Sequence, residues 1–494
     1  MKKLISAALA VSMLFGATLF AGCKVGKETN EKDEIEQLLD TVDFNAGKDY
    51  TGKVKVLFQD IPSETKVIRA VCEEFQKEYP NITVEYNPVV ETQYLTQIPN
   101  RHATAYRTQN FADMPDIIWT TNEILAGWVA KDMLMPVNYF DAADGNFSAE
   151  DIFVDTMLAD SMLGDNVYMF PRDYDQIVMY YNRELLAKAN IPESRIPSDR
   201  ALTATEFNAL LKDIRDAFSV MEGVNERNNR DYDKVRSLDA LFAWGSLCWP
   251  TLKSFGGSVM ADDGSVKFNT SENIAATVYV RELIKNEYVF GGTTKHAQFI
   301  NHLTPLCFET RATLTALIDQ TADGVPGIDP EDLGVAPMPM LGDEANYSIG
   351  AGCSGYGMYR YTQNPTAAWL FLKFLASEKG QNAISMTGNI VPSNKNLLFK
   401  EDAVWRNLTA EEFSGLKNFN HDAFVYAWDT AACTLQDFKL KIDVVAAREA
   451  VSKNMTDVMK SALTTKDATY AAEIATLYKN GESRIRSTIE GYRQ

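Results

Sequence analysis

A chain of 494 residues, 46% hydrophobic and 23% charged, is long enough to bury a large core and too balanced in composition to be fibrous or disordered. Its formal net charge of −19 opposes any polyanion, which excludes nucleic acid and anionic membrane surfaces as charge-driven partners. Six cysteines at wide, irregular spacing, with no CxxC pair and no Cys/His cluster, supply neither a disulfide framework nor a zinc site, and five of them read as small buried residues.

The first element is a leader. Lys2 and Lys3 precede an apolar run from Leu4 to Phe20, and Ala21-Gly22-Cys23 follows. A basic start, an apolar stretch short for a bilayer and small residues before a cut predict a secretory signal over residues 1–22 rather than a spanning helix. Ala21-Gly22-Cys23 resembles a bacterial lipobox, with Phe20 where leucine is usual. The resemblance implies a diacylated Cys23 and a protein lipid-anchored on the extracytoplasmic face of the cell membrane; each buried methylene contributes about 0.8 kcal/mol to such an anchor. Residues 23–52, rich in Lys, Glu, Asp and Asn, have the composition of a polar tether, with a short amphipathic patch at 35–39.

From Lys53 strand and helix patterns alternate. Residues 54–58 read as a strand, and Val67, Ile68, Val71 and Phe75 at helical spacing predict a helix over 63–79, closed by Pro80. Residues 81–86 alternate as a second strand, and 115–122 form a third that runs into a helix from Ile124. Such alternation predicts a mostly parallel sheet covered on both faces, with ligands bound beyond the carboxyl ends of its strands. That rule places Asp60, Thr121, Asn122 and Glu123 in a cleft, although a helix cap accounts for Asn122 equally well.

Strands at 166–170 and 176–181 flank Arg172, Asp173, Tyr174 and Asp175, and Asn182 is placed to cap the helix 183–189. This arrangement, Tyr-x-x-Pro followed by a hydrophobic strand, Tyr-Asn and a helix, resembles the lobe crossing of bacterial extracellular solute-binding proteins of the sugar-binding kind. EFQKEYPNITVEYNP (74–88), FGGSVMADDGSVKFNT (255–270), the glycine-rich stretch 347–358 and NPTAAWLFLKFLASEKGQ (364–381) carry the same resemblance, which spans about residues 53–396. It implies an α/β, periplasmic-binding-protein-like (type II) fold with two lobes, a hinge and an interlobe ligand cleft. Lobe one would take 53–174 with 353–400, and lobe two 175–352 with 401–494. The family, similar to maltose- and multiple-sugar-binding proteins, implies a monomer without cofactor or metal, which hands a carbohydrate ligand to the permease subunits of an ABC transporter.

In that frame Tyr174 and Asp175 stand at the mouth of the cleft, with Trp249, Phe255 and Tyr356 as rings and Glu309 and Arg311 as polar contacts. Carry-over is weakest at 309–311, where the family has small or aromatic residues. Sugars lay apolar C–H faces on Trp or Tyr rings and turn hydroxyl edges to Asp, Asn, Glu and Arg. Trp119, Trp128 and Trp244 also fall near cleft segments, with core packing as the other reading of any single Trp.

Two other readings stay open. A surface-anchored glycoside hydrolase would find paired acids among Asp60, Glu123, Asp173, Asp175 and Glu309. The four histidines are scattered, and Gly-x-Ser-x-Gly, His-Glu-x-x-His and Walker patterns are missing from the sequence. A binding protein for a non-sugar solute is the third reading. The hydrophilic stretch 222–236 reads as an exposed loop, and the last ninety residues as helices.

Overall fold

The computed structural model describes residues 27–261, 263–291, 295–319, 325–416, 418–434, 445–466 and 468–493. The leader 1–22 and Cys23 lie outside these. Among the described residues no helix is long and apolar enough to cross a membrane.

Part of the segment read as a tether is folded. It forms helix α1 (Lys27–Leu39), and Ile35 and Val42 are buried against lobe one. The Phe44 ring meets Phe140 edge-on at 6.4 Å, the Asp43 N–H donates to Thr366 Oγ1 at 3.0 Å, and Glu34 pairs with Arg360 at 3.1 Å. Composition registered the polar majority; a few apolar anchors dock the segment.

Lobe one opens with β1 (Gly52–Asp60), α2 (Pro62–Glu78), β2 (Ile82–Val90), α3 (Glu91–Thr108), β3 (Ile117–Thr121) and α4 (Asn122–Val129). The helical spacing of Val67, Ile68, Val71 and Phe75 is the face α2 buries, and Pro62 starts the helix where its missing N–H costs nothing. Strand β4 (Phe170–Pro171) ends this run, and β5 (Asp175–Gln176) carries the chain across.

Lobe two contains β6 (Val178–Asn182), α5 (Arg183–Lys188), α6 (Ala204–Ser219), β7 (Leu238–Asp239), α7 (Gly245–Ser254), α8 (Ser271–Lys285), β8 (Leu306–Glu309) and β9 (Leu333–Pro337). Asn182 caps α5 by accepting from the Leu185 N–H. Strand β10 (Ile349–Gly352) crosses back to β11 (Ser354–Met358), α9 (Pro365–Ala376) and α10 (Glu378–Ser385). Strand β12 (Ala432–Cys433) makes the third crossing, toward α11 (Val445–Leu463) and α12 (Tyr470–Arg493).

The strands named above form three sheets. Lobe one holds the order β2-β1-β3-β11-β4, with β1 parallel to both neighbours and β11 antiparallel to β3 and β4. Lobe two holds β7-β8-β6-β9, and the three crossings form their own sheet, β12-β10-β5. Gly350 in this hinge sheet faces α7 so closely that a Cβ would sit 1.7 Å from the Ser246 carbonyl oxygen; no other residue fits there.

Two regions depart from the expected partition. Residues 401–425 face both lobes: Phe419 and Phe424 meet the Tyr180 ring of lobe two at 6.3 and 6.0 Å, while Glu412 pairs with Lys66 of lobe one at 2.7 Å. The insertion 222–236 is exposed over most of its length but anchored by the buried Asn225, whose Nδ2 donates to the His302 carbonyl at 3.0 Å. The C-terminal hairpin of α11 and α12 docks on α7 and α8, where Thr277 and Tyr478 hydroxyls bond at 2.7 Å, and α11 also lies along α4 of lobe one. The five described cysteines, Cys72, Cys248, Cys307, Cys353 and Cys433, are buried.

Candidate functional site

The site forms where the exit of β3, the start of α7 and the end of β8 meet the first crossing. Glu123, in the first turn of α4, reaches toward lobe two: the Ser246 hydroxyl lies 3.5 Å from its Oε1, and a Cβ on Gly245 would come within 2.9 Å of the same oxygen. Trp244 holds the N-cap position of α7, and the Lys295 ammonium lies over its ring, 3.4 Å from the centroid. Glu309 ends β8 fully buried, with His296 Nδ1 at 3.0 Å and the Thr310 N–H donating at 3.2 Å. Asp239 ends β7 and accepts the N–H groups of Gln298 and Phe299 at 2.7 and 3.1 Å, which fixes the turn carrying Lys295 and His296.

Electrostatics divide these carboxyls. Burial, with repulsion from Asp173 and Glu309 added, pushes Asp175 up to about 8 despite the Thr310 hydrogen bond and Lys295. A carboxyl raised in this way can donate to a hydroxyl in its protonated form and accept in its ionised form. Burial also raises Glu123 against the pull of Lys295. Glu309 is as deeply buried, yet Lys295, His296 and the Thr310 N–H overcome that burial and leave it below its ordinary value. One ammonium thus acts on a carboxyl from lobe one, one from the crossing and one from lobe two. Among the described residues no three His, Cys, Asp or Glu groups converge as a metal site.

The other sequence-derived candidates scatter. Asp60 is exposed at the end of β1 with the Thr65 hydroxyl at 3.4 Å. Thr121 is half-buried at the N-cap of α4 and makes no side-chain cap bond. Asn122 is the first residue of α4 rather than its cap, and its Nδ2 donates to Asp160 Oδ2 at 2.5 Å in a buried pair. Phe255 lies ten residues beyond Gly245, about 15 Å along a helix, half-buried against Tyr279 at 5.4 Å.

Four further candidates, Tyr174, Trp249, Tyr356 and Arg311, are buried. Tyr174 is fully buried and donates to Gln176 Oε1 at 2.6 Å. Trp249 is fully buried one turn beneath Gly245, whose Cβ would meet its ring at 2.9 Å. Tyr356 lies inside the lobe-one sheet and donates to Glu64 at 3.3 Å. Arg311 spends its donors on the Gly388 and Trp405 carbonyls at 2.8 and 2.7 Å and on His421 Nδ1 at 3.0 Å. Position near a strand exit or helix start does not tell which way a side chain turns, and each of these turns inward. Lys295, His296, Ser246 and Asp239 were missed; Lys295 and His296 lie in an aperiodic Gly-Gly-Thr-Thr-Lys-His stretch without a distinguishing pattern.

A family profile described as bacterial extracellular solute-binding protein matches residues 70–411. The chain belongs to this family. Maltodextrin-binding protein MdxE of Bacillus subtilis (strain 168) is 23% identical over 265 residues, a match covering 52% of this chain and little more than half, 57%, of that protein. Among solved structures, the ABC substrate-binding protein Lmo0181 from Listeria monocytogenes in complex with cycloalternan superposes with a TM-score of 0.66 at 14% identity, covering 89% of this chain and 100% of that one. Maltose-bound MalE3 of T. maritima gives 0.63 at 19% identity, over 87% of this chain and 100% of that one. UgpB from Mycobacterium tuberculosis in complex with glycerophosphocholine gives 0.66 at 15%, over 89% and 99%. These likenesses establish the two-lobed, type II periplasmic-binding-protein fold.

In this solute-binding protein a buried ionic knot pins two of the crossings together. Arg172, 4% exposed, bonds Glu64, Asp173 Oδ2 at 2.8 Å and Ser354 Oγ at 2.6 Å. The Ser354 N–H closes the ring onto Asp173 Oδ1 at 2.7 Å. The knot joins the exit from β4 to the start of β11 directly behind Asp175.

Proposed function

We propose that this solute-binding protein captures a sugar or oligosaccharide between its lobes and delivers it, without catalysis, to the permease of an ABC importer. The observation that carries the reading is the Trp244 indole face under the Lys295 ammonium, whose charge acts on Glu123 of lobe one, Asp175 of the crossing and Glu309 of lobe two. An apolar face beside groups that accept and donate hydrogen bonds matches the two surfaces of a pyranose ring. The relatives that bind maltodextrin, cycloalternan and maltose support it. In this reading the lobes are 53–174 with 353–400, and 175–352 with the C-terminal helices; residues 401–425 brace both, and Asp60 and Thr121 stand at the rim. The protein acts as a monomer held at the membrane through an acylated Cys23. Cys23→Ser is expected to move it into the soluble fraction, and unchanged membrane retention refutes the anchor.

A ligand touching Glu123 and Trp244 together engages fully only the closed form. Moving a two-state hinge from mostly open to mostly closed takes a differential affinity of roughly 5.5 kcal/mol, within reach of a micromolar complex at about −8 kcal/mol. The soluble domain mixed with maltodextrins should show a higher melting temperature, a smaller radius of gyration and sugars recovered intact. The raised Asp175 beside the lowered Glu309 is the split an acid–base pair needs; shortened sugars in the same mixture would establish a hydrolase instead.

A further inference from the structure

Lys295 occupies the surface a sugar ring would use. At 3.4 Å from the Trp244 centroid its ammonium is in contact with the indole face, in cation–π geometry, so a pyranose and this side chain exclude one another there. The side chain is held in place by its backbone. His296, the next residue, sits in the left-handed region at φ +37 and is tied to Glu309 at 3.0 Å. Asp239 clamps the N–H groups of Gln298 and Phe299 just beyond. A strained residue held from two sides marks a turn whose conformation the surroundings impose. Glu123 of lobe one already meets lobe two at the Ser246 hydroxyl, 3.5 Å away, and beside Gly245; the Lys295 charge acts on it and on Asp175 of the crossing.

We propose that Lys295 is a tethered stand-in for the ligand, which rests on Trp244 in the empty protein, draws Glu123 toward lobe two and must be displaced for a sugar to bind. The inference rests on the sugar-cleft reading of the same site and adds a control on it. Attraction between a lysine of one lobe and a carboxylate of the other favours closure with no ligand present. That self-closed population is not binding-competent, and apparent affinity falls by the fraction it takes from the open form. Lys295 is then a specificity-determining residue: it sets a threshold that a ring must pass by stacking on Trp244 better than the ammonium does.

The test compares wild type, Lys295→Ala and Lys295→Arg in the soluble domain, by small-angle scattering without ligand and by calorimetry with maltotriose. Unliganded Lys295→Ala is expected to have a larger radius of gyration than unliganded wild type, and Lys295→Arg, which keeps a cation for the ring, to stay as compact as wild type. Glu123→Gln should open the empty protein in the same way. Lys295→Ala should bind maltotriose about three- to tenfold tighter, up to about 1.4 kcal/mol at that energy per tenfold. Equal radii for unliganded wild type and Lys295→Ala overturn the proposal, as does weaker sugar binding by Lys295→Ala, which would make the lysine a direct ligand contact. Failure of both proteins to bind maltotriose counts against the sugar reading, and the ligand-free scattering still decides the role of Lys295.

Discussion

Replacing Arg172 with leucine is expected to lower folding stability by about 3–5 kcal/mol, the usual penalty for removing one partner of a buried ion pair. The guanidinium is the shared counter-ion of Glu64 and Asp173, and all three side chains are buried. Burial already holds the Glu64 carboxyl above its ordinary value, with Arg172 opposing that rise. Without the arginine, the main opposition to the cost of burying the Glu64 carboxyl is lost, and Asp173 is left with the Ser354 N–H and hydroxyl. Urea titration should show a lower midpoint with the slope conserved. The double variant Arg172→Leu with Glu64→Gln should recover part of the loss. A midpoint within error of wild type would mean that the knot contributes nothing to folding.

The second large effect concerns ligand affinity. Trp244→Ala is expected to weaken sugar binding by about 30-fold, roughly the 2 kcal/mol that marks a dominant contact residue, while leaving the melting temperature of the free protein nearly unchanged. Trp249→Ala should do the reverse. Its ring fills the core under α7, so the substitution opens a cavity and costs about 3–5 kcal/mol of stability, and the folded protein should keep its affinity. Loss of affinity in Trp249→Ala with stability intact would exchange the roles assigned to the two rings.

The contrast between these tryptophans shows what the sequence could carry. Periodicity located the α/β units well: a strand read at 54–58 spans Gly52–Asp60, and a helix read at 63–79 spans Pro62–Glu78. The crossing at 171–176 was legible because charged and aromatic residues interrupt two hydrophobic strands in a very short space. Trp244 and Trp249 both lie in an aromatic stretch ahead of Gly256-Gly257, and no local pattern separates the helix start that meets the other lobe from the turn that meets the core. Arg311 looked like a ligand contact because a charged residue after a strand normally faces solvent, whereas here the segment 388–421 wraps over it. Lys295 was invisible because its role comes from Trp244, Glu123 and Asp239, each distant in sequence. Of the helix at 27–39 only the amphipathic patch at 35–39 was legible, because the turns before it are polar.

The hinge sheet has a consequence for how the polypeptide reaches its final shape. Its strands come from residues 175–176, 349–352 and 432–433, and the lobe-one sheet cannot complete its register between β3 and β4 until residues 354–358 arrive. Closing such long loops carries an entropic cost before any contact offsets it, which slows folding. A ribosome delivering this chain from its N-terminus therefore completes neither lobe sheet until residues 333–337 have emerged. The last hinge strand, residues 432–433, is made only after every strand of the two lobe sheets has emerged.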